Sequence, residues 1–183
     1  RPAGQGLRLL YGCAAFLLVL AVGFLLIPLV PTFRRMPALT PPAWGFLAYC
    51  SLLGISFLLV EMELFQTFAL VLGSPAWALG VVLASLLVFS GLGSLASARL
   101  TATRGGIAGT FAALAAVLAT FVLAKRPLVD AIITLGLGGR VLATLLSVAP
   151  LAFLMGVPMA AGMGLVGDRP LLRLWGWSLN GAL

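Results

Sequence analysis

Two carboxylates, Glu61 and Glu63, lie in an apolar stretch of the sequence at residues 43–72. A carboxylate in hydrocarbon costs several kcal/mol unless it is neutralised, paired or hydrated. Such a group could bind a cation, a proton or an amine. It could equally form a structural ion pair with a basic residue such as Arg99 or Arg140. The sequence leaves both alternatives open.

Two further polar residues are candidates for the same intramembrane site. Glu61 and Glu63 point about 200° apart on a helix with 3.6 residues per turn, so they cannot form a carboxylate dyad. Gln66 lies about 140° from Glu61 on that helix. Asn180 lies in the last apolar run, where its amide could share a cavity with Glu61 or hydrogen-bond to a neighbouring helix.

The composition excludes an ordinary soluble domain. The 183 residues are 62% hydrophobic and only 8% charged, with a mean hydropathy of +1.21, whereas soluble domains have about 25% charged residues. Five segments contain no charge: residues 9–33, 36–60, 64–98, 105–124 and 141–167. Each is close to or above the roughly 20 residues that cross a bilayer as a helix, and none alternates as a barrel strand would. The net charge of +7 comes from basic residues that flank the apolar runs, so we expect lipid headgroups rather than nucleic acid as their partners.

These segments predict an all-α, polytopic bundle of about five to six transmembrane helices in a single domain. The predicted spans are residues 7–30, 43–72, 76–98, 106–124 and 141–166, with an incomplete sixth at 171–183. Lys125-Arg126-Pro127 is expected to end the fourth helix, and residues 128–140 are expected to form an interfacial or re-entrant element. Pro150 and Pro158 predict a kink or a break in the fifth span. We expect the chain to be a segment of a longer polypeptide.

Small residues predict close contacts between helices. Candidates on the third and fifth spans are Ser90, Gly91, Gly93, Ser94, Gly156 and Pro158. Small side chains let two helix backbones approach each other, and packing is therefore the expected role. Approach of a ligand to the exposed backbone is the alternative.

Other reactive groups are sparse. The sequence has no histidine, which removes the commonest general base and metal ligand. Cys13 and Cys50 are predicted near opposite membrane faces, too far apart for a disulfide. Met155, Met159 and Met163 recur every four residues, and core packing explains them better than a copper(I) site. We expect no catalytic residue, no cofactor site and no metal site in this segment.

Several motifs follow one another in the order of one protein family. They are FLLVEMELFQ at residues 57–66, LGSPAWAL at 72–79, VVL at 81–83, FSGLGS at 89–94, LMGVPM at 154–159 and WGWSLNGA at 175–182. Together they resemble the membrane region of bacterial spermidine-synthase-like integral membrane proteins, over most of the chain from Tyr49 on. LMGVPM is similar to that family's Met-Gly-Met-Pro motif, and WGWSLNGA is similar to its Trp-Ala-Trp-x-x-Asn-Gly-Ala motif.

The resemblance implies a multi-pass protein of the bacterial inner membrane. It also implies a Rossmann-type, polyamine-synthase-like domain upstream of Arg1 in a complete protein, with an S-adenosylmethionine derivative as its cofactor. Glu61, Gln66 and Asn180 match recurring polar residues of the family. Glu63 stands where the family usually has a small apolar residue.

The expected function is therefore that of a membrane domain. It would anchor or couple an aminopropyltransferase-like domain and offer Glu61 to a polyamine or another cation. Two alternatives remain: a transporter or flippase for a small or cationic solute, and a structural subunit of a larger membrane complex. The expected partner is the lipid bilayer, together with either other membrane subunits or a fused Rossmann-type domain; nucleic acid is not expected.

Overall fold

The computed structural model describes residues 41–182 and scattered helical positions between residues 8 and 23. Most of the first predicted span, residues 7–30, and residues 31–40 after it lie outside the described residues. The described residues form helices and turns without a strand, which confirms the predicted all-α helical fold. Cys13 and Cys50 are both free cysteines.

Five helices cover almost all of residues 41–182. They are α1 (Pro41–Leu72), α2 (Pro75–Leu100), α3 (Arg104–Ile133), α4 (Leu137–Leu165) and α5 (Pro170–Ala182). The first four are long and apolar enough to cross a membrane, which indicates a multi-pass membrane protein. Helix α5 has 13 residues, fewer than a span requires. The contacts described below lie within the compact unit Phe46–Gly181.

Short turns with defined chemistry join the long helices. Gly73 ends α1 with a φ of 69°, a conformation that glycine adopts without strain, and its N–H donates to Ala69 O over 3.1 Å. Pro75 then occupies the first turn of α2, where its missing N–H leaves no intrahelical bond unmade. At the start of α3, Thr103 Oγ1 accepts a 3.0 Å hydrogen bond from Gly106 N.

The prediction that Lys125-Arg126-Pro127 ends a helix was wrong. Helix α3 continues through Pro127 to Ile133, and a turn of three residues leads directly into α4. The expected re-entrant element at residues 128–140 is therefore the last turns of α3 and the first turn of α4. The physical reason is that Pro127 removes one N–H donor, whereas ending the helix there would leave several backbone groups unpaired. Ile132, only 4% exposed, packs in the core and holds the extension.

Helix α4 likewise runs unbroken past both of its prolines. The sequence predicted a kink or a break at Pro150 or Pro158, and the break is absent from α4. Tyr49 on α1 donates its hydroxyl hydrogen to Pro158 O over 2.7 Å. A Cβ added at Gly162 would lie 2.6 Å from Tyr49 Cε1, so this glycine makes the room for the tyrosine ring.

Helices α2 and α4 run in the same direction and touch through their backbones where they cross. A Cβ built at Gly93 would lie 1.8 Å from Phe153 O, and one built at Gly156 would lie 1.9 Å from Ser90 O. No side chain fits at either glycine without moving a helix. Two small residues therefore allow the closest packing in this part of the bundle.

Helix α5 packs parallel to α1. A Cβ at Gly176 would meet the Phe46 ring and Cys50 Sγ, at 2.7 and 3.0 Å. One turn further along both helices, a Cβ at Gly54 would lie 2.7 Å from Asn180 O. The contact point therefore moves toward the C-terminus on both helices together, so α5 runs in the same direction as α1.

The bundle has two ends that differ in packing. At the Arg140 end, α1 and α3 end and α2 and α4 begin. At the Arg169 end, α2 and α4 end and α3 and α5 begin. Ten buried side chains form the main core: Leu64, Phe68, Val71, Val82, Leu86, Phe121, Ile132, Val148, Leu151 and Ala152. Most of them lie in the half of each helix nearer the Arg140 end, so this half is the densely filled one.

Candidate intramembrane site

One of the two acidic residues on α1 is neutralised by a lysine on α3. The Lys125 ammonium donates to Glu63 Oε1. Thr67, one turn further along α1, is 2% exposed and donates its hydroxyl to the same oxygen over 3.4 Å. Glu63 lies nine residues before the end of α1, about 13 Å from that end at 1.5 Å per residue. The carboxylate of Glu63 and the ammonium group of Lys125 therefore neutralise each other at a depth below the Arg140 end, where an unpaired charge would be costly.

The sequence left open a structural ion pair with a basic residue such as Arg99 or Arg140; the partner of Glu63 is Lys125, and neither of those two examples. Arg99 is exposed near the end of α2. Arg140 donates instead to backbone oxygens of Val71 at 3.1 Å, Ile133 at 2.6 Å and Leu135 at 2.8 Å. The difference follows from the helix boundary. Once α3 continues past Lys125, that side chain faces α1 rather than a turn.

Glu61 lies on the other flank of α1. The buried face of this helix is marked by Leu64, Phe68 and Val71. At about 100° per residue, Glu61 lies about 50° to one side of the mean direction of these residues and Glu63 about 110° to the other side. Glu61 is half-buried, and no basic side chain of the described residues is within ion-pair distance of it. The two carboxylates therefore differ in environment: one has a cation beside it and the other does not.

The four polar residues expected to form one site are not brought together. Gln66 is exposed, about 140° around α1 from Glu61. Asn180 packs its backbone on Gly54, two helical turns before Glu61 and about 10 Å from it along α1. Its amide has no hydrogen-bond partner among the described residues. Asn180 belongs instead to a cavity whose lining does not include Glu61.

That cavity lies in the half of the bundle nearer the Arg169 end. Its volume is about 820 Å³, and all five helices contribute to its wall. The wall is mainly apolar and carries no charged side chain. Its polar side chains are Ser56, Ser90, Ser94 and Asn180. Ser56 donates to Leu52 O on its own helix. Ser90, Ser94 and Asn180 are therefore the side chains available to bind a ligand.

The methionines of α4 form one side of this cavity. Met155, Met159 and Met163 all line it, and Met155 also packs against the main core. The expectation of core packing thus describes only part of their surroundings. The spacing of four residues placed them on one face of α4. The sequence held no signal that this face borders a void.

The small residues singled out from the sequence fall into two groups. Gly93 is buried in the contact between α2 and α4, and Gly156 lies at that contact and at the cavity wall. Pro158 also borders the cavity, beside the tyrosine bond described above. Ser90, Gly91 and Ser94 line the cavity, and a Cβ at Gly91 would meet nothing within 4 Å. One face of α2 therefore packs against α4, and the adjacent face lines the cavity.

Comparisons with known proteins return no relative: no family model, no curated protein and no solved structure matches this chain. Within residues 41–182 and the helical positions described before them, no group of three or more acidic or cysteine side chains could hold a metal ion.

Proposed function

We propose that this chain is the membrane domain of a spermidine-synthase-like integral membrane protein, and that Glu61 gives a polyamine or similar cation a carboxylate contact in the membrane. The ordered motifs between Tyr49 and Ala182 support the first part. The second part follows from the unequal surroundings of Glu61 and Glu63. An intramembrane carboxylate without a basic partner favours the binding of a cation, because the attraction between the two charges offsets the hydration that the carboxylate has lost.

The single observation that carries the cation site is the placement of Lys125. It neutralises Glu63 and lies on the opposite flank of α1 from Glu61. A structural role for both acids would call for two such partners. The described residues supply one, and the acid left over is the one that matches the family's recurring polar position.

The anchoring role rests on the resemblance alone. In that proposal the helices hold an aminopropyltransferase-like domain, which uses an S-adenosylmethionine derivative, close to the membrane. Glu61 would then bind the cationic product or substrate of that domain near its site of synthesis. The helices themselves contribute binding and orientation rather than chemistry.

Spermidine binding to the intact protein in lipid nanodiscs tests the cation site. We expect Glu61→Gln to weaken the binding of radiolabelled spermidine at least tenfold, and Glu61→Asp to retain part of it. Glu63→Gln is the matched control on the same helix, and its effect on binding should stay within about twofold. Equal losses in the two Gln variants, or an unchanged Glu61→Gln protein, would contradict the proposal.

The alternatives gain less from the geometry. A carrier often has broken helices that expose backbone groups to its substrate, whereas α3 and α4 are continuous through all three of their prolines. A purely structural subunit would use its small residues to dock on other chains. Here Gly54, Gly93, Gly156 and Gly176 are used for contacts within the chain.

A further inference from the structure

The large cavity lies beside a second, basic cavity at the Arg169 end, and one residue lines both. The second cavity has a volume of about 670 Å³ and is lined by the turn before α5 and the first part of that helix, including Arg169 and Arg173. Trp177 lines both cavities and is itself 69% exposed. A molecule that passes Trp177 would therefore contact an apolar chamber on one side and a basic one on the other.

The charges of the second cavity suit a phosphodiester. Arg169 and Arg173 contribute two positive charges and Asp168 one negative charge, which leaves a net charge of +1. Arg173 uses Nε and Nη2 to donate to Met163 O at the end of α4, at 3.4 and 3.2 Å. That contact orients its guanidinium, and Nη1 has no partner among the described residues. Arginine and tryptophan are also the side chains expected at the level of lipid headgroups.

The dimensions of the large cavity suit an acyl chain. Along α4 it extends from Met163 to Leu151, which is 12 residues or about 18 Å at 1.5 Å per residue. The hydrocarbon of one leaflet is about 15 Å deep, half of the usual 30 Å. The wall is apolar and uncharged along this length. A hydrocarbon chain that entered beside Trp177 could therefore lie inside the bundle at the depth it has in the leaflet.

Asn180 lies between these two regions. It is one turn deeper than Trp177 on α5, with an amide that has no hydrogen-bond partner among the described residues. An ester carbonyl lies at the corresponding depth of a phospholipid, between the phosphate and the acyl chain. The amide N–H could donate to that oxygen, which would satisfy a polar group that is otherwise unpaired in an apolar wall.

We propose that this bundle binds one anionic phospholipid, with an acyl chain in the large cavity, its ester beside Asn180 and its phosphate at Arg169 and Arg173. The site is separate from Glu61 and does not depend on the cation site or on the resemblance to any family. It would be occupied from the leaflet at the Arg169 end.

Native mass spectrometry of the intact protein with added phosphatidylglycerol and phosphatidylcholine tests the headgroup. We expect the anionic lipid to bind at least fivefold more tightly, and Arg169→Gln to remove most of that preference. Arg99→Gln is the matched control, because Arg99 is an exposed arginine near the same end of the bundle that lines neither cavity. An equal loss with Arg99→Gln would show general attraction to a basic surface and would overturn the proposal.

A second pair of variants tests the acyl chain. Gly91 and Gly80 both lie on α2 with open space around an added Cβ, but only Gly91 lines the cavity. We expect Gly91→Leu to weaken both lipids at least fivefold and Gly80→Leu to change them less than twofold. Equal effects of the two substitutions would place the acyl chain of the lipid outside the cavity and would overturn the proposal.

A photolabel on the unaltered protein makes the test independent of any variant's folding. Phosphatidylglycerol with a diazirine in the middle of one acyl chain should label α4 between Leu151 and Met163. Labelling spread over the outward faces of α1 to α4 would show an annular lipid only. Uncharged diacylglycerol that competes as well as phosphatidylglycerol would remove the phosphate from the proposal and overturn it.

Discussion

Lys125 on α3 donates a hydrogen bond to Glu63 on α1, and the two residues are 62 positions apart in the sequence. The two charges neutralise each other. Both side chains remain partly exposed, with exposed fractions of 40% for Lys125 and 43% for Glu63. We expect Glu63→Gln or Lys125→Gln to lower the free energy of unfolding by about 1 kcal/mol, the scale of polar contacts between membrane helices. The measurement is unfolding by SDS in mixed micelles, followed by tryptophan fluorescence.

The charge-swapped double variant separates pairing from other effects of the substitutions. Glu63→Lys combined with Lys125→Glu should recover most of the stability that either reversal alone removes. If the double variant loses as much as the two single reversals added together, the two side chains do not stabilise the bundle as a pair.

The contact between α2 and α4 depends on the absence of two Cβ atoms. We expect Gly93→Ala and Gly156→Ala to cost about 1–3 kcal/mol each, as for overpacked cores, because the added carbon meets a backbone oxygen that cannot move aside. Gly80→Ala and Gly91→Ala are matched controls on α2 with open space, and they should be neutral or slightly stabilising. The same unfolding titration measures all four. Controls as destabilised as Gly93→Ala would show that glycine matters here only through helix flexibility.

Most of the helices could be predicted from the sequence, since apolar length and turn chemistry are local properties. Gly73-Ser74-Pro75 ends one helix and starts the next wherever it occurs in an apolar chain. Lys125-Arg126-Pro127 carries the same kind of local stop signal, yet α3 continues through it. Burial of Ile132 and the partner on α1 decide that outcome, and both are tertiary facts.

The site was less predictable than the helices for a related reason. The sequence identified Glu61 and Glu63 and their divergent directions, because helical periodicity fixes the angle between them. It could not identify Lys125 as the partner, because that depends on which helix lies beside α1. Nor could it reveal the cavity, since the methionine stripe at Met155, Met159 and Met163 reads the same whether it meets side chains or a void.

The hydrogen bond from Tyr49 to Pro158 O joins α1 to the second half of α4. We expect Tyr49→Phe to lower the free energy of unfolding by about 1 kcal/mol, because the carbonyl loses one of its donors while the ring still fills its place. Tyr11→Phe is the control, as Tyr11 is 65% exposed and should tolerate the change. Gly162→Ala should cost more than Tyr49→Phe, since the new carbon displaces the whole ring. A Tyr49→Phe protein as stable as the unaltered one would show that the hydroxyl bond contributes nothing.

Arg140 joins three backbone segments at one end of the bundle. Its guanidinium donates to Val71 in the last turn of α1, to Ile133 at the end of α3 and to Leu135 in the turn that follows, so it satisfies carbonyl oxygens that the helix ends leave unpaired. We expect Arg140→Gln to cost about 1–2 kcal/mol, and Arg140→Lys to recover little of it, because an ammonium group cannot reach three divergent oxygens as a planar fork does.

Hydrogen–deuterium exchange gives this substitution a local readout. Amides of residues 130–140 should exchange faster in Arg140→Gln, while those of the contact between α2 and α4 should not change, because only the helix ends lose their tether. Arg126→Gln is the control, since Arg126 is exposed on the neighbouring stretch of α3 and has no hydrogen-bond partner among the described residues. If Arg140→Lys restores both the exchange rates and the stability, a positive charge alone holds these ends together, and the forked geometry is not what stabilises them.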